Sequence, residues 1–278
     1  MKISVTTPIL NECPWVAFSI MAALEHIHQF IYALDAKSND GTRELLFHVK
    51  QKYAHEKLII IDHPTFHPSD MKAYNEAFNV CIAKATGDAV WFLHPDMIVL
   101  NPVAIESMPE SMAWYTNVTS YAGDFQTIIT KGRCDKWKNI HARKLGVHYF
   151  GGYGSQNEDF YHSDITGKSY KHYGTKFSLY PFQVKNSGIN VNHYCELKDY
   201  SRRLEKMKSC LRNQNPHVSE AWIEDAAIQH PRVTLEWSSK NFGDFEFTRS
   251  SDIKPPSVFE KYKDEFQQFV KTKEPCIG

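Results

Sequence analysis

The chain has no surplus of charge. Its 32 Lys and Arg balance 32 Asp and Glu over 278 residues, for a formal net charge of zero. No whole-molecule field therefore draws it to nucleic acid or to an anionic membrane. No apolar run approaches the ~20 residues that a membrane-spanning helix needs. No leader-like segment precedes the first expected strand, so no secretory signal is expected. Cysteine is sparse and scattered: Cys13, Cys81, Cys134, Cys195, Cys210 and Cys276, with no C-x-x-C pair. That spacing suits reduced thiols in a cytoplasmic protein better than a disulfide frame or a zinc knuckle. Asn117-Val118-Thr119 is accordingly read as a chance sequon. Repeats, low complexity and long linkers are absent too, so one continuous domain is expected over 1–278.

What is present is ordinary for a globular protein: 42% apolar and 23% charged residues, in a length that suits one large α/β domain. Strands are expected at Lys2–Thr6, Phe30–Leu34, Leu58–Ile61 and Ala89–Leu93. Between them fall helices at Val16–His28, after Pro14 at a first helical position, at Thr42–Lys52, and from a Ser69 cap to Gly87. Four β-then-α units in about 95 residues predict a parallel, doubly wound sheet, which binds ligands at the carboxyl ends of its strands.

The second half is less regular. Ala113–Ser120 and Phe125–Lys131 read as strands, and Ile189–Val191 as a short strand ending at His193. Residues 197–212 read as a helix with Leu197, Tyr200, Leu204, Met207 and Leu211 at helical spacing, and 256–273 as a terminal helix packed on the outside. The stretch Gly151–Gly174, rich in Gly, Tyr, His and Asp, reads as loop and site. Lys131–Lys144 holds six basic residues against Asp135, with Trp137 and His141 between them. It suits either an anionic acceptor or, more simply, a surface helix or loop over a buried Trp137.

Three motifs follow one another, each at an expected strand end. They are Pro8-Ile9-Leu10-Asn11-Glu12; Asp35, Ser38, Asp40, Gly41 and Thr42; and Asn79 to Gly87, leading into His94-Pro95-Asp96. Together they resemble a family 2-type glycosyltransferase with the GT-A fold. The resemblance implies a single Rossmann-like, mostly parallel sheet flanked by helices, with a small antiparallel acceptor-side part. Residues 1–100 would form the nucleotide-sugar half, 101–230 the acceptor and metal half, and 231–278 a C-terminal extension. Two departures stand out: Cys81 takes the place of a usual glycine, and His94 that of the first Asp of D-x-D.

The residues support that reading chemically. Pro8 and Leu10 can wall a flat base. A carboxylate at Asp35 can accept an N–H from the base edge, and the resemblance assigns it to uracil. Asp35 and Asp40 can equally cap a turn and a helix. Asn11, Glu12 and Asn79 fall in the motifs and join the expected donor contacts. Asp96 keeps the position of the usual metal ligand, and His193 resembles a further ligand near the C-terminus. His94 is open between ribose contact, metal ligand and packing. The cofactor is then Mn²⁺ or Mg²⁺, and imidazole favours Mn²⁺. Gly151-Gly152-Tyr153-Gly154 before Asn157-Glu158-Asp159 resembles the glycine loop and x-E-D motif. Gly152 would let backbone approach the donor, and Asp159 would be the general base, with Glu158 its neighbour and Asp164 a third candidate. Lys198 is expected near a phosphate, and the remaining bases of that helix on a solvated face.

The expected activity is metal-dependent transfer from a UDP-sugar to an acceptor hydroxyl, with inversion. The acceptor is open among glycan, lipid, protein and nucleic acid, as is the oligomeric state. Rival readings are a catalytically weak nucleotide-sugar or glycan binder of the same fold, and a sugar nucleotidyltransferase.

Overall fold

Seven consecutive buried residues form β1 (Ile3–Ile9), and seven more form β2 (Gln29–Asp35). Strands buried on both faces belong at the centre of a parallel sheet, and there they lie. The structure is a computed structural model. It describes residues 1–64, 71–122, 124–131, 136–150, 160–163, 168–171, 184–197, 200–215, 217–229 and 246–271. β1 pairs in parallel with β2 on one side and with β4 (Ala89–Trp91) on the other, and β3 (Leu58–His63) extends the row beyond β2. The connections are α1 (Trp15–Ala23), α2 (Thr42–Lys52) and α3 (Met71–Ala83). The result is the expected mixed α/β architecture, with a parallel core flanked by helices.

The later strands continue the same sheet. After β5 (Met97–Val99) come β6 (Ala113–Ala122), β7 (Thr127–Lys131) and β8 (Lys136–Ala142). β8 runs antiparallel beside β4, followed outward by β6, β7 and β13 (Glu246–Arg249). β12 (Val184–Glu196) lies parallel to β6 and antiparallel to β5. β9 (Val147–Phe150), β10 (Phe160–Ser163) and β11 (Lys168–Lys171) form a separate antiparallel sheet. α4 (Tyr200–Gln214), α5 (Glu220–Ile228) and α6 (Ser257–Gln267) complete the described elements.

Several expected boundaries move. The fourth strand stops at Trp91, because the Leu93 amide turns back to Trp91 O at 3.1 Å. Phe92 to Asp96 is thereby freed as a loop before β5. α1 ends at Ala23 rather than His28, whose amide donates to Ile3 O. α3 ends at Ala83 rather than Gly87. Ile189–Val191 is the middle of a strand of 13 residues. The largest correction concerns Lys131–Lys144. It carries the end of β7 and the whole of β8, not a surface helix. Asn139, Ile140, His141 and Ala142 are consecutive and all buried, because β8 lies inside the sheet between β4 and β6 and is covered on both faces. Reading the basic residues alone hid this buried run.

Two apolar layers hold the sheet. On one face Ile3, Val5, Tyr32 and Trp91 meet α1, α2 and α6; on the other, Ile31, Ala33, Val90 and Phe92 meet α3 through Tyr74, Phe78 and Cys81. Each fully buried large side chain contributes about 1.5–3 kcal/mol. Gly87 shows how tightly the strands start. A Cβ there would lie 2.7 Å from Lys2 O and 2.8 Å from Ser4 Oγ, the group to which the Gly87 amide donates.

Candidate functional site

Because β1, β2 and β4 are adjacent and parallel, their carboxyl ends share one edge. β1 runs out at Ile9, and Asn11 takes a positive φ of 54°. That turn is stapled to the one after β2. The Asn11 amide donates to Ser38 Oγ (3.3 Å), the Asn39 amide to Asn11 Oδ1 (3.0 Å), and the Glu12 amide to Thr42 Oγ1 (2.7 Å). Asp40 is the hub. Its Oδ1 accepts from the Thr42 amide and hydroxyl, and its Oδ2 accepts from the Cys13 amide at 2.9 Å. Gly41 occupies the cap position of α2, and Asp40 beside it holds the first helical residue and links the two loops.

Asp35 ends β2 at 0% exposure. Its Oδ1 accepts from the Lys37 amide at 2.6 Å, so it shapes the turn as the simpler reading expected. Pro8 is buried, and Leu10 packs at the edge of the α3-side layer. Asn79 is half-buried on α3. Cys81, the departure from the usual glycine, is a core residue. Burial pushes its thiol up to about 12, so it stays protonated and donates to Thr7 O at 3.9 Å.

The loop after β4 meets the middle of β12. Thr7 Oγ1 donates to Leu93 O, and the Met97 amide donates to His94 O, closing a turn around Pro95 and Asp96. His193 faces Met97 across the β5–β12 ladder. Its Nε2 lies 3.6 Å from Asp96 Oδ1, and the two side chains are 5% and 4% exposed. That distance exceeds a hydrogen bond. The half-buried His94 ring lies 6.3 Å from that of His193, centroid to centroid. The Tyr194 amide donates to Asp96 O at 3.0 Å, which ties strand to loop.

Behind His193 the strand is rigid. Asn192 Nδ2 donates to the hydroxyls of Tyr121 and Tyr194. Tyr194 stacks on Trp15 and on Tyr121 with centroids 5.5 and 4.8 Å apart, and burial drives its phenol far above the ordinary range. Aromatic pairs of this kind add about 0.5–1.5 kcal/mol beyond burial.

Asp96 and His193 offer an oxygen and a nitrogen donor, both nearly dry, at a spacing a shared cation can bridge. Carboxylate with imidazole suits Mn²⁺ better than Mg²⁺. Among the described residues no group of three or more His, Cys, Asp or Glu side chains gathers tightly enough to hold an ion. Among the described residues, Asp96 and His193 are thus a pair of donors, with the His94 ring 6.3 Å from that of His193.

Gly152, Glu158, Asp159, Asp164 and Lys198 lie outside the described residues. On α4, Lys208 pairs with Glu205 of the same helix and with Glu224 of α5, and Arg212 pairs with Glu220 of α5. Lys208 is only 8% exposed, so at that position the helix is packed against its neighbour and is not the solvated face expected. Sequence reasoning missed the staples, Thr42 and the Cys13 amide in particular, although the Asp40-Gly41-Thr42 spacing carried the signal. A cleft of about 630 Å³, lined by Asp88, Trp114, Arg143 and Lys144 among others, opens at the opposite edge of the parallel strands. It has no part in the Asp35–Asp96 edge. No described helix is long and apolar enough to cross a membrane.

No family model matches the chain, and no curated protein matches it. Among solved structures it is similar to S. aureus TarS 1–349, at 13% identity and a TM-score of 0.40 over 98% of this chain and 81% of that one. The same protein in complex with UDP matches at a TM-score of 0.35 over 87% and 74%. The mannosyltransferase PcManGT from Pyrobaculum calidifontis, in complex with GDP-Man and Mn²⁺, matches at 11% identity and 0.40 over 84% and 78%. The inositol-1-phosphate CTP transferase from T. maritima matches at 11% and 0.32 over 52% and 71%. At these values the likenesses are of chain trace, and what each neighbour binds is a property of that neighbour.

Proposed function

We propose that the chain is a glycosyltransferase that holds a UDP-sugar along the carboxyl edge of β1, β2 and β4. One observation carries the reading: Asp35 at the end of β2 and Asp96 in the loop after β4 lie at that single edge, and His193 of β12 comes to 3.6 Å from Asp96. In this reading Pro8 and Leu10 wall the uracil, and Asp35 accepts its N3–H. The sugar-diphosphate extends toward Asp96 and His193.

Those two residues would hold a divalent metal, Mn²⁺ or Mg²⁺, which when bound supplies Lewis-acid stabilisation of charge on the leaving diphosphate. Lys198, by its place in the sequence shortly after His193, would add a positive charge for a phosphate. Asp159 takes the proton from the acceptor hydroxyl, with Glu158 beside it, and attack on the anomeric carbon inverts its configuration. Positioned general-base help of this kind is worth ~10²–10⁴ in rate.

A second reading, a nucleotide-sugar binder with little turnover, is favoured by one observation: the metal donors of the described chain are a pair, with His94 where an acid is usual. UDP release from a panel of nucleotide sugars, with and without Mn²⁺, decides between the two. Mn²⁺-dependent release supports the transferase. Binding without release supports the binder, and neither binding nor release sinks both.

A further inference from the structure

We infer that the end of α6 and residues 268–271 after it form a strap that sets the position of the donor loops, so that Glu265, Phe269 and Lys271 are positioning residues for nucleotide binding. The role assigned to the nucleotide rests on the function proposed above; the strap itself is read from contacts alone.

The strap begins in the core. Phe259 and Phe266 of α6 are 3% and 0% exposed. They pack edge-on or tilted against Phe18 and Trp15 of α1, at centroid distances of 4.5 to 5.6 Å. Glu265 then fastens the helix to α2: it accepts from Tyr53 at 2.7 Å and pairs with His48 at 2.6 Å and with Lys52 at 2.9 Å. Past the helix end, Phe269 lies with its ring 4.9 Å from that of His48. The Lys271 amide donates to Asp40 O at 3.0 Å, and its Nζ reaches Glu44 at 2.6 Å.

Gly41 is where the strap closes. It caps α2 at φ 100°, a conformation that favours glycine. A Cβ there would stand 1.7 Å from Phe269 O. The glycine thus serves the turn and also seats the strap. Asp40 is then gripped on two sides: its carboxylate holds the β1–α1 turn through the Cys13 amide, and its carbonyl holds the C-terminal segment. Movement of the strap therefore reaches both turns of the proposed donor edge. Backbone contacts and the buried phenylalanines carry this coupling. The exposed Lys271–Glu44 pair is worth little by itself, which makes it a gentle place to intervene.

The test uses the full-length chain, Lys271→Glu, the charge-swapped Glu44→Lys with Lys271→Glu, and Phe269→Ala. Amide exchange is read at residues 11–13 and 38–42, and UDP affinity is measured in parallel. Exchange at those amides is expected to quicken several-fold in Lys271→Glu and in Phe269→Ala, and to recover in the charge swap. UDP affinity should fall by about three- to tenfold in Phe269→Ala and by about twofold in Lys271→Glu, the latter recovering with the swap. Unchanged exchange in both overturns the strap. Faster exchange with unchanged UDP affinity overturns its link to the nucleotide. If the unmodified chain does not bind UDP, the donor reading fails, and exchange alone decides the strap.

Discussion

Asp35 holds a turn, and in the proposed reading it also meets the base. Its Oδ1 accepts from the Lys37 amide, so removing the whole carboxylate would unmake the turn as well as any base contact. Asp35→Asn separates the two roles, because Asn keeps an acceptor for Lys37 but turns a donor toward the uracil N3–H. UDP affinity should fall by roughly 10–100-fold, from about 1–3 kcal/mol of unmet hydrogen bonding, with the thermal midpoint little changed. Unaltered affinity would remove Asp35 from the base site. Gly87 makes the opposite point. It belongs to a motif that reads as functional, yet it sits at the amino ends of the strands, where a side chain would strike Lys2 O and Ser4. Gly87→Ala should lower stability by about 1–3 kcal/mol through overpacking and leave UDP binding intact, as thermal unfolding and titration would show. Motif spacing in the sequence singled out Asp35, Gly41, Gly87 and Asp96, and the structure gives Asp35 a turn contact and the two glycines close backbone neighbours. Spacing could not say which were chemical and which steric, because that depends on what lies across the turn.

At the scale of elements, the β-then-α rhythm of the first half was legible because its strands read as apolar runs: β1, β2 and β4 are buried on both faces, and the half-buried edge strand β3 still opens on Leu58-Ile59-Ile60-Ile61. The second half was harder. β8 opens on the exposed Lys136 and ends in four consecutive buried residues, Asn139 to Ala142, and β12 interrupts its pairing with β6 between Asn186 and Asn190. A sequence window sees charge in the first and polarity in the second. α6 was foreseen as an outer helix, and it does lie outside α1, but Phe259 and Phe266 make it part of the core. Phe266→Ala should therefore destabilise the protein by about 3–5 kcal/mol, measured by denaturant unfolding. A change under about 1 kcal/mol would show α6 to be an ornament.

At the scale of the molecule, distant parts of the chain depend on one another through a few polar hubs, and one of these gives a pH signature. Burial raises the Glu265 carboxyl, but hydrogen bonds from His48, Lys52 and Tyr53 outweigh it and hold the group down at about 2. The folded value lies below the unfolded one of roughly 4.3. The contribution to stability is therefore complete above about pH 5 and is lost as pH falls toward 2. The stability difference between the unmodified chain and Glu265→Gln should be constant above that point and shrink steadily below it.

The central claim is that Asp96 and His193 form the metal-diphosphate corner of a UDP-sugar site. Calorimetric titration of UDP with and without Mn²⁺, on the unmodified chain and on Asp96→Asn, tests it most directly. Mn²⁺ should tighten UDP binding to the unmodified chain by about tenfold or more, about 1.4 kcal/mol, and leave the variant's binding unchanged. A Mn²⁺ effect of equal size in Asp96→Asn, or no UDP binding to the unmodified chain, would contradict it.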